Sequence, residues 1–237
     1  MKIALFSDIH GNLTGLRAVL AALDALGGAD VTFAAGDFVH GGPATDEVID
    51  LLRERGVRMV RGDSDTEDKW RNLVRLASSG PVSGRASTRS TAAHYEAMIA
   101  WLRAHLSPAG RDFLAALPFS ETLEAAPGRR LYVCHASPRG VGDRVCAASA
   151  PPSLLREAYG GIEADVIAFG HAHTPFVRLL DGKLFVNVAS IAFRPDATSM
   201  LTLLTYDEEQ WVVQQFAVPY DAAEETRLMA ERGVPVS

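Results

Sequence analysis

The chain has 237 residues, 48% of them hydrophobic and 22% charged, enough to bury one substantial core, and we read residues 1–237 as a single domain. Its formal net charge of -6 disfavours non-specific binding to nucleic acid, and its two cysteines, Cys134 and Cys146, are too few for a disulfide framework, which fits the reducing cytoplasm. The apolar start from Met1 to Phe6 is too short for a signal peptide and no later apolar run approaches the ~20 residues of a membrane span, so no membrane partner is expected.

Short apolar runs recur from the start: Ile3 to Phe6, Val31 to Ala35, Val57 to Val60, Leu131 to Cys134 and Val166 to Phe169, each bounded by polar residues in the manner of buried strands. Between the first two, Leu13, Leu16, Val19, Leu20, Leu23 and Leu26 repeat at helical spacing, and Gly27 and Gly28 supply a stop, which makes a βαβ unit. A second helix is predicted from Ala44 to Arg55, with Pro43 at its start and Gly56 at its end. The stretch at about 66–117 breaks the alternation. It reads as a helical, cap-like insertion with helices around Trp70 to Leu76, His94 to His105 and Pro108 to Leu117, joined by a Gly/Ser/Arg-rich segment from Ser78 to Ser90. Further on, Phe176 to Leu180, Lys183 to Val188, Met200 to Tyr206 and Trp211 to Val218 read as strands of a second, largely antiparallel sheet, followed by a short helix from Asp221.

Ligands of α/β sheets bind beyond the carboxyl ends of strands, and each of the first five runs is followed by residues that can hold a metal. These are Asp8 and His10, then Asp37 after Gly36, Asp63 after Gly62, His135, and His171 with His173 after Gly170. Residues two apart on extended backbone point to one side, so Asp8 with His10, and His171 with His173, can each converge. So many carboxylates and imidazoles at one edge would repel or be stranded without cations to pair them. Taken singly, an Asp-x-His or a Gly-Asp is an ordinary turn or cap; in this order on strand ends, they make a metal site.

Asp8-Ile9-His10-Gly11-Asn12, Gly36-Asp37, Gly62-Asp63-Ser64-Asp65, His135 and Gly170-His171-Ala172-His173 resemble the ordered motifs of the calcineurin-like metallophosphoesterases over Met1 to about Val188. The likeness is to the small prokaryotic branch with phosphodiesterases and diadenosine tetraphosphate hydrolases. Val218-Pro219-Tyr220-Asp221 is similar to the ending of many such chains. The resemblance implies an α/β fold of two packed mixed β-sheets flanked by helices, a four-layer αββα sandwich. It also implies two divalent ions, manganese and/or iron with zinc as an alternative. Asp8, His10 and His173 would hold one, Asp63, His135 and His171 the other, with Asp37 bridging both. The implied reaction is hydrolysis of a phosphate ester or anhydride by a hydroxide that bridges the ions.

Two positions depart from the family pattern, which has Asn at position 63 and often His, a candidate general acid, at position 64. A carboxylate at Asp63 lowers the net positive charge of the loaded centre and is expected to tighten metal binding or favour trivalent iron. The Ser64 hydroxyl is too weak an acid to protonate a leaving group near neutral pH, which points to anhydrides and activated or cyclic diesters. His40 is a substitute acid or a solvated loop histidine, and Asp65 a structural partner of its loop. Asn12 orients phosphate or caps the first helix; Arg139, Arg85 and Arg89 clamp further phosphates or lie in solvent; Trp70, Tyr95 and Trp101 stack on a base or pack in the core. The expected partner is a small phosphorylated substrate. A nuclease and a weakly active or non-catalytic metal-binding protein are the alternatives, and the oligomeric state is open, with a homodimer allowed.

Overall fold

Alternate residues of the first strand belong to different cores. In β1 (Lys2–Phe6), Ile3 and Leu5 face one apolar layer while Ala4 and Phe6 face another, and all four are fully buried. A strand apolar on both sides must be sandwiched, and that requirement sets the architecture. The computed structural model describes residues 1–78 and 92–236. It places β1 in a five-stranded mixed sheet with β2 (Val31–Ala34), β3 (Arg58–Met59), β9 (Thr198–Tyr206) and β10 (Trp211–Pro219), in the order β10-β9-β1-β2-β3. The second mixed sheet has the order β4-β5-β6-β8-β7, from β4 (Ser120–Ala126), β5 (Arg129–Cys134), β6 (Val166–Phe169), β7 (Phe176–Leu180) and β8 (Lys183–Asn187).

The layer between the sheets joins Ile3, Leu5, Phe33 and Val60 to Leu131, Val133, Val166, Ala168 and Val186. On the outer face of the first sheet lie α1 (Leu13–Ala25) and α2 (Asp46–Glu54), and on that of the second α6 (Pro152–Tyr159), where Leu155 and Tyr159 meet Ile167, Phe169 and Phe185. Within each sheet three strands run parallel, β1-β2-β3 and β5-β6-β8, so their carboxyl ends and the loops that follow lie at one edge.

The strands from Phe176 onward do not form one antiparallel sheet. β7 and β8 extend the second sheet, with β8 parallel to β6, whereas β9 and β10 cross back to pair antiparallel with β1. Hydrophobic alternation marks each strand but carries no record of its neighbour. β4 and α6 escape sequence reasoning for a related reason: β4 is an edge strand with no fully buried residue, and α6 has eight residues. The middle stretch holds α3 (Glu67–Ser78), α4 (Ala92–His105) and α5 (Pro108–Ala116). Trp70, Met98, Ile99, Leu102, Leu106 and Leu114 enter the same outer core as α1 and α2, so these helices extend the layer on the first sheet. Arg85 and Arg89 lie outside the described residues. The closing helix is α7 (Ala222–Glu231), capped by Asp221, whose side chain accepts from Glu224 N at 2.9 Å.

Gly36, at φ +90°, lets the ends of β2, β3 and β5 approach one another: a Cβ there would lie 2.6 Å from Gly62 Cα and 2.8 Å from His135 Nδ1. Gly128, at φ +73°, has open space instead. Gly36→Ala should therefore lower unfolding free energy by about 2–4 kcal/mol and Gly128→Ala by only about 1 kcal/mol, as read by chemical denaturation.

Candidate metal centre

At the shared edge the loops bring their carboxylates and imidazoles into two groups. Asp8, His10 and His173 form one, and Asp37, Asp63, His135 and His171 the other; within each group, one donor atom per residue lies within 4.8 Å of all the rest. One carboxylate faces both. Asp37 Oδ2 is 3.5 Å from His10 Nε2 and its Oδ1 is 3.3 Å from His135 Nε2. This is the partition implied by the resemblance.

The imidazoles are oriented from behind. His10 Nδ1 donates to the His40 carbonyl at 3.0 Å and His135 Nδ1 to the Ala35 carbonyl at 2.7 Å, which leaves each Nε2 directed inward. Among the described residues, the buried His10 Nε2 has no hydrogen-bond partner, and the buried Asp8 Oδ1 lies 2.9 Å from His173 Nε2. Converging oxygen and nitrogen donors of this kind are a set that fits divalent cations. The backbone is unusual at the same places. Asp8, His10, Asp37, His171 and His173 all have φ between +49° and +63°, a left-handed conformation that costs non-glycine residues on the order of 1 kcal/mol each. Strain so concentrated marks a functional site.

A family model for the calcineurin-like phosphoesterase superfamily domain matches residues 1–209. The chain belongs to that superfamily. This phosphoesterase is also 25% identical over 236 residues to an uncharacterized protein of Methanocaldococcus jannaschii, with 92% of this chain and 88% of the other covered. Its fold is similar to the crystal structure of a hypothetical protein from Pyrococcus horikoshii OT3, at a TM-score of 0.79 and 20% identity over 99% of this chain and 94% of that one. It is similar as well to a metallophosphoesterase from Sphaerobacter thermophilus, at a TM-score of 0.68 and 22% identity over 99% of this chain and 95% of that one. The protein is thus a phosphoester hydrolase, and its donor groups and its family together support divalent metal ions as cofactors.

Around the phosphoesterase centre, Asp65 holds the loops in place. Its carboxylate accepts from the backbone of Asp37 and Gly62 at 2.9 Å and Phe38 at 2.8 Å, the structural part expected of it. Ser64 orients the shared carboxylate: its N–H donates to Asp37 Oδ1 at 2.8 Å and its hydroxyl to Asp37 Oδ2 at 3.0 Å. Asn12 caps α1, its side chain accepting from Gly15 N at 2.7 Å. Arg139 is taken up by Asp143 at 2.7 Å and Glu157 at 3.0 Å, so it is not held ready for a phosphate. Trp70 and Trp101 are buried, and their indole N–H groups donate to the carbonyls of Ser64 and Arg232, so of the two readings they follow core packing. Tyr95 is half-buried against His94.

His40 is not a solvated loop residue. It is half-buried, with Nε2 out of solvent and without a partner among the described residues; burial, then the nearby Lys69 ammonium, holds it down to about 4. It is therefore neutral at neutral pH and no reservoir of protons. Two residues of the site escaped the sequence reading. Phe193, 58% exposed at φ +59°, sets its ring 4.7 Å from that of His10 and 6.0 Å from that of His173. It follows the end of β8, a strand end to which the same rule applies. Lys69, in the first turn of α3, is ion-paired with Asp63 Oδ2.

Without cations the carboxylates lean on His135. Burial opposes its charge, but Asp37, Asp8 and Asp63 outweigh that and push it up to about 9. Burial holds His10 down to about 3 and, with the His135 charge, His171 down to about 4. Burial, assisted by repulsion from Asp63 and Asp8, raises Asp37 above the usual carboxylate range. An unfolded histidine loses its proton near 6.5, so folded His135 holds one that the unfolded chain lacks between there and about 9. Its stabilisation is complete below 6.5 and is lost as pH rises through 9, whereas His10 and His171 act on the acid side. The melting temperature of metal-stripped protein should consequently fall from pH 7 to 9, and His135→Gln should flatten that fall. Calorimetry in buffers of different ionisation enthalpy should show about one proton released as Mn²⁺ binds at pH 7.5.

Proposed function

We propose that the protein is a dinuclear-metal-dependent phosphodiesterase or nucleotide-anhydride hydrolase acting on a small nucleotide-like substrate. Asp8, His10 and His173 would hold one cation, Asp63, His135 and His171 the other, and Asp37 would serve both. The observation that carries this reading is the buried Asp37 carboxylate, whose two oxygens face separate donor groups. Bound manganese, iron or zinc would supply Lewis acidity toward phosphate oxygens and water. The protein's own contribution is position. Asp65 fixes three backbone N–H groups of the Asp37 and Gly62 loops, and Ser64 sets the plane of the Asp37 carboxylate, so the donors are arranged before a ligand arrives.

The class of substrate follows from what surrounds the centre. Ser64 occupies the place of a family histidine and His40 is neutral, so a leaving group receives little help with its proton. Anhydrides and activated or cyclic diesters leave readily under those conditions, and simple alkyl esters do not. The exposed ring of Phe193 beside His10 and His173 offers a face on which a nucleobase can stack.

Purified, Mn²⁺-loaded protein should be tested against bis-p-nitrophenyl phosphate, cyclic nucleotides, dinucleoside polyphosphates and single-stranded DNA. Turnover of one or more of the small substrates is expected, with kcat lowered at least about 10³-fold in Asp37→Asn. Cleavage of DNA alone would make the protein a nuclease, and no hydrolysis by protein shown to bind Mn²⁺ would remove the assignment. Phe193→Ala should raise KM for a dinucleoside polyphosphate about tenfold with kcat within about twofold of wild type.

A further inference from the structure

A lysine in the first turn of a helix meets the positive end of the helix dipole and needs another reason to be there. Lys69 is such a residue. Its acidic neighbours in that turn are committed elsewhere: Glu67 pairs with Arg103 at 2.7 Å and Asp68 with Arg71 at 2.8 Å. The local chain is anchored on both sides of it. Thr66 Oγ1 donates to the Asp63 carbonyl at 2.9 Å, and the Trp70 indole donates to the Ser64 carbonyl at 2.7 Å. With Trp70 fixed inward, the Lys69 side chain is directed over Asp63, and its ammonium pairs with Oδ2 while remaining 31% exposed. The same Oδ2 lies 3.9 Å from His171 Nδ1, on the side of the donor group that includes His135 and Asp37.

Charge explains why a cation belongs there. Two divalent ions against the carboxylates of Asp8, Asp37 and Asp63 leave one net positive charge, whereas an asparagine at position 63 would leave two. Lys69 restores the second.

We propose that Lys69 and Asp63 are a compensating pair, in which Lys69 shields Asp63 in the metal-free protein and binds a substrate phosphate oxygen once Asp63 has a cation. This rests on the metal-centre reading above. An ammonium beside a carboxylate engaged by a cation is left with unsatisfied donors at the open side of the centre, where a phosphate oxygen is the complementary acceptor.

The test compares wild type, Lys69→Met, Lys69→Arg and the double variant Asp63→Asn/Lys69→Met by calorimetric titration, first with Mn²⁺ and then, on Mn²⁺-loaded protein, with inorganic phosphate. Lys69→Met should bind Mn²⁺ about tenfold more tightly, because a competing cation is gone, and phosphate about tenfold more weakly, the scale of one charge-assisted hydrogen bond. Lys69→Arg should keep phosphate affinity within about threefold, whereas the double variant, which has the wild-type net charge but no ammonium donor, should bind phosphate as weakly as Lys69→Met. Phosphate affinity unchanged in Lys69→Met, or restored to the wild-type level in the double variant, would overturn the proposal even if esters are hydrolysed. Failure of wild-type protein to bind Mn²⁺ would overturn the metal-centre reading and the pairing with it. Failure to hydrolyse any ester, with the phosphate differences intact, would overturn only the enzymatic assignment.

Discussion

The structure depends on one buried carboxylate being shared. Asp37 sits at the end of β2, between loops from both sheets, and it is 2% exposed. Its charge would be prohibitive there without donors on every side, and the fold supplies them: the backbone and hydroxyl of Ser64, the imidazoles of His10 and His135, and the space between two donor groups for cations. Sandwich packing of the two sheets is what brings those loops to a common edge. The core between the sheets therefore sets the geometry of the chemistry, since shifting either sheet would pull Asp37 away from one of its groups.

Much of this was legible because metal donors at strand ends obey two simple constraints. A parallel strand must be apolar on both faces, and its functional residues must follow its last apolar residue, so Asp8, Asp37, Asp63, His135 and His171 announce themselves against runs such as Ile3 to Phe6. The pairing of strands was less visible. β9 is largely buried, as β6 is throughout, yet one belongs to the first sheet and the other to the second, because partner choice is decided by long-range packing rather than by local pattern. Asn12, Arg139 and Trp70 show the complementary limit: residue type alone leaves a cap, an ion pair and a core indole looking like substrate contacts until their partners are seen.

Lys69 and Phe193 were missed for different reasons. A lysine six residues beyond Asp63 looks like any solvated helical residue; only the turn made by Thr66 and the inward anchoring of Trp70 direct it back toward the carboxylate. Phe193 sits beyond a strand end whose loop carries no histidine, and an exposed aromatic is conspicuous only once His10 and His173 are found beneath it. Both residues lie beside the donor groups yet outside the motifs that mark the family.

The Asp65 carboxylate gathers backbone N–H groups from two loops without help from any ion. A scaffold tied in this way stays assembled when its cations leave, in contrast to small domains that unravel on chelation. Loading would then be a capture event rather than a folding event, with the polypeptide keeping its shape whichever divalent ion it takes.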